Sequence, residues 1–137
     1  MRFLAEAGTG ALPSYTETLP RLPESVRRGR RFVGLVLEVW GMNDVQDAAE
    51  LVASELLTNA VQHARRAAVR LTVTRLDSGR VRVAVVDLSR ECPLPRIAGA
   101  GEESGRGLAI VDAASQGRWG VDPLAWGKRI WADLEAL

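Results

Sequence analysis

The chain has 137 residues, of which 47% are hydrophobic, so we expect a single domain with one core and exclude two independently folded domains. Its 18 basic and 17 acidic side chains leave a net charge of +1, which argues against a dedicated nucleic-acid-binding protein and gives no sign of a membrane-surface protein. One cysteine, Cys92, permits no internal disulfide, and no apolar run reaches the ~18 residues of a membrane span, so we expect a cytoplasmic protein.

The N-terminal part of the chain predicts a leader and then a strand. Residues 1–13 are small and rich in glycine and show no sustained periodicity, so we expect a loose leader ahead of one domain at 14–137. Polar and apolar residues alternate in "SYTETL", 14–19, and this alternation predicts an edge strand.

Two helices are predicted next. Pro23 suits the first turn of a helix, apolar residues follow it at helical spacing, and Gly41 ends the pattern. A second helix is predicted from Asn43 to about His63.

The apolar period then changes from about 3.6 to about 2. "AVRLTVTRL" (68–76) and "RVRVAVVDL" (80–88) alternate on either side of "DSG", a tight-turn signal, and so predict a β-hairpin. A loop rich in proline and glycine precedes a short helix, "LAIVDAAS", and two further strands follow near "GRWGV" and "KRIWADLEA". This order predicts an α+β fold of two layers, with helices on one face of a mixed, mainly antiparallel sheet.

The second predicted helix carries a line of polar residues, Glu55, Asn59 and His63, at successive i+4 steps. At about 100° per residue, Asn59 falls beside Val52 on the apolar arc, Glu55 lies at its edge and His63 lies inside it. An unpaired buried amide costs about 1–3 kcal/mol and a carboxylate costs more, so these groups need partners in the protein, in water or in a ligand. Two alternatives stay open: Asn59 and Glu55 could cap a nearby loop, and His63 could be a structural hydrogen-bonding residue.

The second strand of the hairpin ends in "VVDLS", which places Asp87 after a buried stretch. Its carboxylate only accepts hydrogen bonds. An acceptor in an apolar slot suits the amino group of adenine and would repel the carbonyl that guanine has at the same place. The alternative is an aspartate that begins a turn.

Glycines are concentrated in "GAGEESGRGLAIV", ahead of the third predicted helix. Glycines such as Gly105 and Gly107 let the backbone approach a phosphate, and the amides at a helix start donate to it. A flexible surface loop is the alternative interpretation.

In this order, the motifs "ELLTNAVQHA", "VVDLS", "ESGRGLAIV" and "GKRIWADL" resemble the N box, the two glycine boxes and the closing strand of the GHKL ATPases, which include DNA gyrase and histidine kinases. The chain is most similar to stand-alone histidine-kinase-like proteins of the anti-sigma factor and serine kinase type. The resemblance covers about 23–137, and its first and third motifs are specific at this spacing. It implies the two-layer Bergerat fold with ATP and Mg²⁺ as ligands.

The resemblance also implies roles for individual residues. Glu55 matches the family's general base, which orients or deprotonates the attacking hydroxyl. Asn59 matches the magnesium ligand, and Asp87 matches the residue that recognises adenine. The other positions that match nucleotide-binding residues of the family are His63, Gly105, Arg106, Gly107, Leu108 and Lys128.

Two departures from the family pattern affect the predicted site. Ser89 and Glu91 stand where the first glycine box usually has glycines. Lys128 stands where many relatives have a hydroxyl residue, so that position could make an ionic contact with a phosphate or could be a solvated lysine.

The first helix also carries a run of arginines, which resembles the surface that relatives use against sigma factors or their antagonists. A solvated helix face is the alternative. The run consists of Arg27, Arg28, Arg30 and Arg31.

The resemblance implies a protein serine/threonine kinase that phosphorylates an anti-sigma antagonist and binds a sigma factor, with homodimerisation left open. We expect no autophosphorylation within this chain, because its only histidine, His63, lies in the nucleotide motif instead of on a separate dimerisation helix. A function like that of DNA gyrase requires transducing domains, which we do not expect here. The alternative is a nucleotide-gated protein-binding module with negligible turnover, which the altered first glycine box favours.

Overall fold

The computed structural model describes residues 11–63, 67–88 and 105–136. The strands within these ranges are β1 (Ser14–Pro20), β2 (Ala68–Asp77), β3 (Arg80–Leu88), β4 (Trp119–Leu124) and β5 (Gly127–Glu135). The α-helices are α1 (Glu24–Trp40), α2 (Gln46–His63) and α3 (Gly105–Ser115), and a 3₁₀ turn, Asn43–Val45, precedes α2.

The described strands form one five-stranded sheet in the order β1-β2-β3-β5-β4. Each pair of neighbours in this sheet is antiparallel. The predicted edge strand and the predicted hairpin are confirmed as β1 and as β2 with β3. The predicted α+β class with a mainly antiparallel sheet is confirmed as well.

The core lies between the helices and one face of the sheet. Alternate residues of each strand point to this face, as the period of 2 requires. The buried strand residues on it are Leu19, Val69, Leu71, Val73, Val81, Val83, Val85, Ile130, Ala132 and Leu134. The helices cover them with Phe32, Val33, Val36 and Leu37 of α1 and with Ala49, Val52, Ala53, Leu56 and Leu57 of α2.

Helix α1 lies close to the sheet because of Gly29. A β-carbon at this position would collide with Leu57 of α2 and would lie 3.1 Å from Leu71 and 3.2 Å from Leu19. The glycine therefore lets α1 approach α2 and the first two strands more closely than any larger residue would allow.

The other face of the sheet carries charged pairs beside Trp131. Arg82 donates to both carboxylate oxygens of Asp133, at 2.7 and 3.0 Å, and its guanidinium carbon lies 4.4 Å from the centre of the Trp131 ring. Arg129 pairs with Asp122 at 2.7 Å on the same face. These charges are therefore matched within the sheet itself.

Some predicted boundaries are wrong. Helix α3 begins at Gly105, three residues before the predicted start at Leu108, so Gly105 and Gly107 lie inside the helix instead of ahead of it. The low helix propensity of glycine suggested a later start, and the tertiary contacts of this turn override that preference. Helix α2 begins at Gln46 instead of Asn43, after the 3₁₀ turn.

Two predicted segments fall wholly or mainly outside the described residues: the leader up to residue 10, and the loop at 89–104 with Ser89 and Glu91. No helix in the described ranges combines the length and the apolar character that crossing a membrane requires.

Candidate functional site

A cleft that is open to solvent lies between the C-terminal half of α2 and the strands β3 and β5. Its floor is apolar and its polar groups come from both layers of the fold. The residues that line it are Leu56, Asn59, Ala60, His63, Val85, Asp87, Lys128 and Ile130. A concave apolar site with a few converging polar groups is the usual form of a small-molecule site.

Helix α2 contributes Asn59 and His63 to the cleft. The two residues are four apart, so they lie on one helix face, and both are half-buried. The prediction that they point inward is confirmed. Nε2 of His63 is buried, and none of the described residues forms a hydrogen bond with it. A ligand in the cleft is therefore within reach of a buried polar atom that the described protein groups leave available.

The sheet contributes Asp87 and Lys128. Asp87 of β3 lies directly opposite Lys128 of β5, and Val85 lies directly opposite Ile130. Directly paired residues of an antiparallel sheet project to the same face, so both charged side chains rise beside an apolar floor. Asp87 and Lys128 therefore line the cleft from neighbouring strands.

Glu55 lies next to the cleft, against the first turn of α3. A β-carbon on Gly107 would be 3.0 Å from Oε2 of Glu55, so a larger residue here would require the carboxylate to shift by a few tenths of an ångström. The first amides of a helix have no intrahelical acceptor and carry the positive end of the helix dipole. Glu55 thus lies one helical turn before Asn59 and against a helix terminus that favours anions.

The structure brings together most of the predicted site residues. Asn59, His63, Asp87 and Lys128 share the cleft, and Glu55 and Gly107 are in contact beside it. The first turn of α3 is formed by the remaining predicted positions, Gly105, Arg106 and Leu108 together with Gly107. Leu108 is half-buried on α3 and does not line the cleft. The roles of these residues stay predictions.

The apolar lining was predicted only as core. Leu56 and Ala60 fall on the apolar arc of the predicted second helix, while Val85 and Ile130 lie in the alternating strand patterns. Hydrophobic periodicity identifies side chains that are shielded from water. It does not distinguish side chains packed in the core from side chains that a ligand covers.

The residues of the cleft fit a magnesium nucleotide. No group of three or more His, Cys, Asp or Glu residues in the described ranges could hold a metal ion by itself. Mg²⁺ commonly keeps several waters and takes its other ligands from one or two side chains and the substrate phosphates. Asn59 supplies one neutral oxygen donor in the cleft, which suits an ion that arrives with a nucleotide.

Comparison with known proteins shows what this chain is similar to. Residues 19–116 match the histidine kinase-like ATPase domain family. An uncharacterized protein of Streptomyces coelicolor is 47% identical over 74 residues, which are 50% of this chain and 68% of that protein. The histidine kinase domain of a blue-light activated histidine kinase from Erythrobacter litoralis is 20% identical, with a TM-score of 0.44, and the match covers 96% of this chain and 66% of that one.

Proposed function

Because the chain belongs to the histidine kinase-like ATPase domain family, we propose that it is a protein serine/threonine kinase that phosphorylates an anti-sigma antagonist and binds a sigma factor. The family supports an ATP-binding regulatory module, and the kinase reaction and both partners are our proposal. The observation that carries it is the cleft, which joins Asn59, His63, Asp87 and Lys128 beside Glu55.

The arrangement of the side chains gives the nucleotide a direction. The base lies at the end of the cleft where Asp87 accepts a hydrogen bond and Val85 and Ile130 offer apolar contact. The phosphates extend toward Asn59 and the first turn of α3, whose amides and dipole attract anions. Asn59 would hold Mg²⁺ there, which when bound neutralises phosphate charge and favours phosphoryl transfer.

We assign Glu55 as the general base of the reaction. Its carboxylate accepts the proton of a seryl or threonyl hydroxyl on the antagonist. The hydroxyl oxygen forms a bond to the γ-phosphorus of ATP, the bond from that phosphorus to the β–γ bridging oxygen breaks, and ADP leaves. Positioning and electrostatic stabilisation are the main sources of catalysis in such transfers.

Helix α1 offers a surface for the protein partners. Arg28 and Arg30 form ion pairs with Glu17 and Glu50 at 3.9 and 3.7 Å, so part of the arginine run is directed toward carboxylates of the chain itself. Arg27, Arg31, Leu35 and Val39 follow one another at i+4 steps on the exposed side of the same helix. The side chains of Leu35 and Val39 are 42% and 73% exposed. This stripe of charge followed by apolar side chains is the surface that we assign to the partners.

The test is phosphate transfer to a partner. The purified chain is incubated with γ-labelled ATP, Mg²⁺ and proteins captured with it from the native host and identified by mass spectrometry. A kinase leaves label on a serine or threonine of a captured protein, and Glu55→Gln abolishes most of that label while ATP still binds. Label on none of them would contradict the kinase.

The second candidate, a nucleotide-gated binding module, is favoured by Ser89 and Glu91 in the first glycine motif. It predicts partner capture that differs between ATP, ADP and no nucleotide, without any transfer of label. Measuring capture and labelling in the same samples separates the two functions.

A further inference from the structure

The base end of the cleft contains two opposite charges. Asp87 and Lys128 are directly opposite residues of β3 and β5, and both line the cleft. Directly opposite residues of an antiparallel pair have β-carbons about 4.5–5.5 Å apart. The flexible Lys128 side chain can therefore extend over the same part of the cleft as the Asp87 carboxylate.

Lys128 is not engaged by another carboxylate in the described part of the chain. The ion pairs there involve the cations Arg28, Arg30, Arg80, Arg82, Arg118 and Arg129. The adjacent Arg129 points to the opposite face of the sheet and pairs with Asp122, whereas Lys128 points into the cleft. An ammonium group has three donors and no acceptor, so this end of the cleft offers a donor next to the Asp87 acceptor.

A paired acceptor and donor suits both purines. Adenine presents an amino donor beside a ring-nitrogen acceptor, and guanine presents a ring N–H donor beside a carbonyl acceptor. A guanine bound in the pose of adenine would set its carbonyl against the carboxylate, without a hydrogen-bond partner. An ammonium group beside the carboxylate removes that conflict, because it donates to the carbonyl while the carboxylate accepts from the ring N–H.

We propose that Lys128 makes this cleft a purine nucleotide site that binds GTP as well as ATP. Lys128 is the specificity-determining residue: it donates to the guanine carbonyl, and Asp87 accepts from the guanine ring N–H. The inference rests on the proposed function, because it takes Asp87 to be the residue that recognises the base.

The test is calorimetric titration of the whole chain and of Lys128→Met with ATP, GTP and inosine triphosphate in Mg²⁺. We expect the wild-type dissociation constants for ATP and GTP to agree within about tenfold. Lys128→Met keeps the length of the side chain and removes the donor, so GTP should bind about 10–100-fold more weakly while ATP changes much less. Inosine has the same carbonyl and ring N–H as guanine without its amino group, so its triphosphate should follow GTP.

Two further variants serve as controls. Arg129→Met removes the neighbouring cation of the same strand, on the other face of the sheet, and should leave the ratio of ATP to GTP affinity unchanged. Lys128→Arg retains a donor and should retain GTP binding. The retained affinity for ATP shows that each variant is folded.

The other outcomes separate the inference from the proposed function. ATP binding with GTP at least about 100-fold weaker in the wild type would overturn the role of Lys128 and leave an adenine site. Equal weakening of ATP and GTP in Lys128→Met would also overturn it, because such a loss indicates a phosphate contact. Binding of neither nucleotide by the wild type would overturn the proposed function itself.

Discussion

Gly107 contacts Glu55 so closely that a β-carbon at position 107 would lie 3.0 Å from Oε2 of the carboxylate. This contact joins the first turn of α3 to the middle of α2. The positions of the proposed general base, Glu55, and of the first turn of α3 are therefore coupled.

The contact predicts that Gly107→Ala impairs phosphoryl transfer more than it impairs folding. Alanine favours a helix over glycine by up to about 1 kcal/mol, which offsets the crowding, while the displaced carboxylate lowers transfer by about 10–100-fold. Rates of labelled phosphate transfer and thermal unfolding curves measure the two effects. Gly79→Ala is the matched control, since nothing lies within 4 Å of its added carbon. Equal activity of Gly107→Ala and wild type would show that the carboxylate need not hold this position.

Glu55→Gln tests the base directly. The amide keeps the size of the side chain and removes its charge, so nucleotide binding should persist while transfer falls by about 10²–10⁴, the usual contribution of a general base. Glu50→Gln, on the same helix outside the cleft, should transfer phosphate at nearly the wild-type rate. Unchanged turnover in Glu55→Gln would remove Glu55 from the mechanism.

Asn59→Ala tests the metal ligand. Loss of the amide oxygen should weaken ATP binding in Mg²⁺ by much more than it weakens ATP binding in EDTA, because only the first condition requires the ligand. Calorimetric titration in Mg²⁺ and in EDTA gives the ratio of the mutant to the wild-type dissociation constant under each condition. Equal losses would mean that Asn59 has a structural role instead.

Asp87→Ala should remove most of the nucleotide affinity, because the base loses its acceptor at the end of the cleft. Ligand stabilisation depends on the ratio of ligand concentration to dissociation constant, so the rise in melting temperature at saturating ATP should shrink with it. Asp77→Ala in the β2–β3 turn alters a carboxylate outside the cleft and should leave the rise intact. If Asp87→Ala shows the full rise in melting temperature with ATP, the adenine base binds elsewhere.

Glu17 predicts a dependence of stability on pH. The residue is 2% exposed beneath α1, and neither carboxylate oxygen accepts a hydrogen bond from a described residue. Burial raises its pKa above the ordinary value of 4.5, and Arg28 at 3.9 Å opposes this effect only in part. The folded state thus favours the protonated carboxyl, so its stabilising contribution is complete below the unfolded pKa and is lost as pH rises through the folded pKa.

Glu17→Gln should therefore stabilise the fold at neutral pH by about 0.5–2 kcal/mol, and the gain should shrink toward about pH 4. Urea unfolding of both proteins across this range measures the difference in free energy. Glu38→Gln, on the exposed side of α1, should show no such trend. A variant that is less stable at neutral pH would mean that the ion pair with Arg28 outweighs the cost of burial.

The local features of this fold were predictable from the sequence. The period of the second helix placed Asn59 and His63 on one inward face, and the alternation around the "DSG" turn predicted the β2–β3 hairpin that ends in Asp87. These features depend on residues close together in the chain, where propensity and periodicity are informative.

The features that depend on distant residues were not predictable in this way. Glu17 of β1 is buried beside Arg28 of α1, and the contact between Glu55 and Gly107 joins two helices more than forty residues apart in the chain. The pairing of Asp87 with Lys128 requires β5 to lie next to β3, which periodicity alone does not specify. Tertiary contacts decide each of these relationships.

The position of β5 also has a consequence for biosynthesis. This strand is the last described element to leave the ribosome, yet it lies between β3 and β4 in the interior of the sheet and contributes Lys128 and Ile130 to the cleft. Nascent chains that end before Gly127 lack one wall of the cleft and leave an edge of β3 unpaired. Because a ligand stabilises only the state that binds it, a nucleotide in this cleft can stabilise the domain only after β5 has been synthesised.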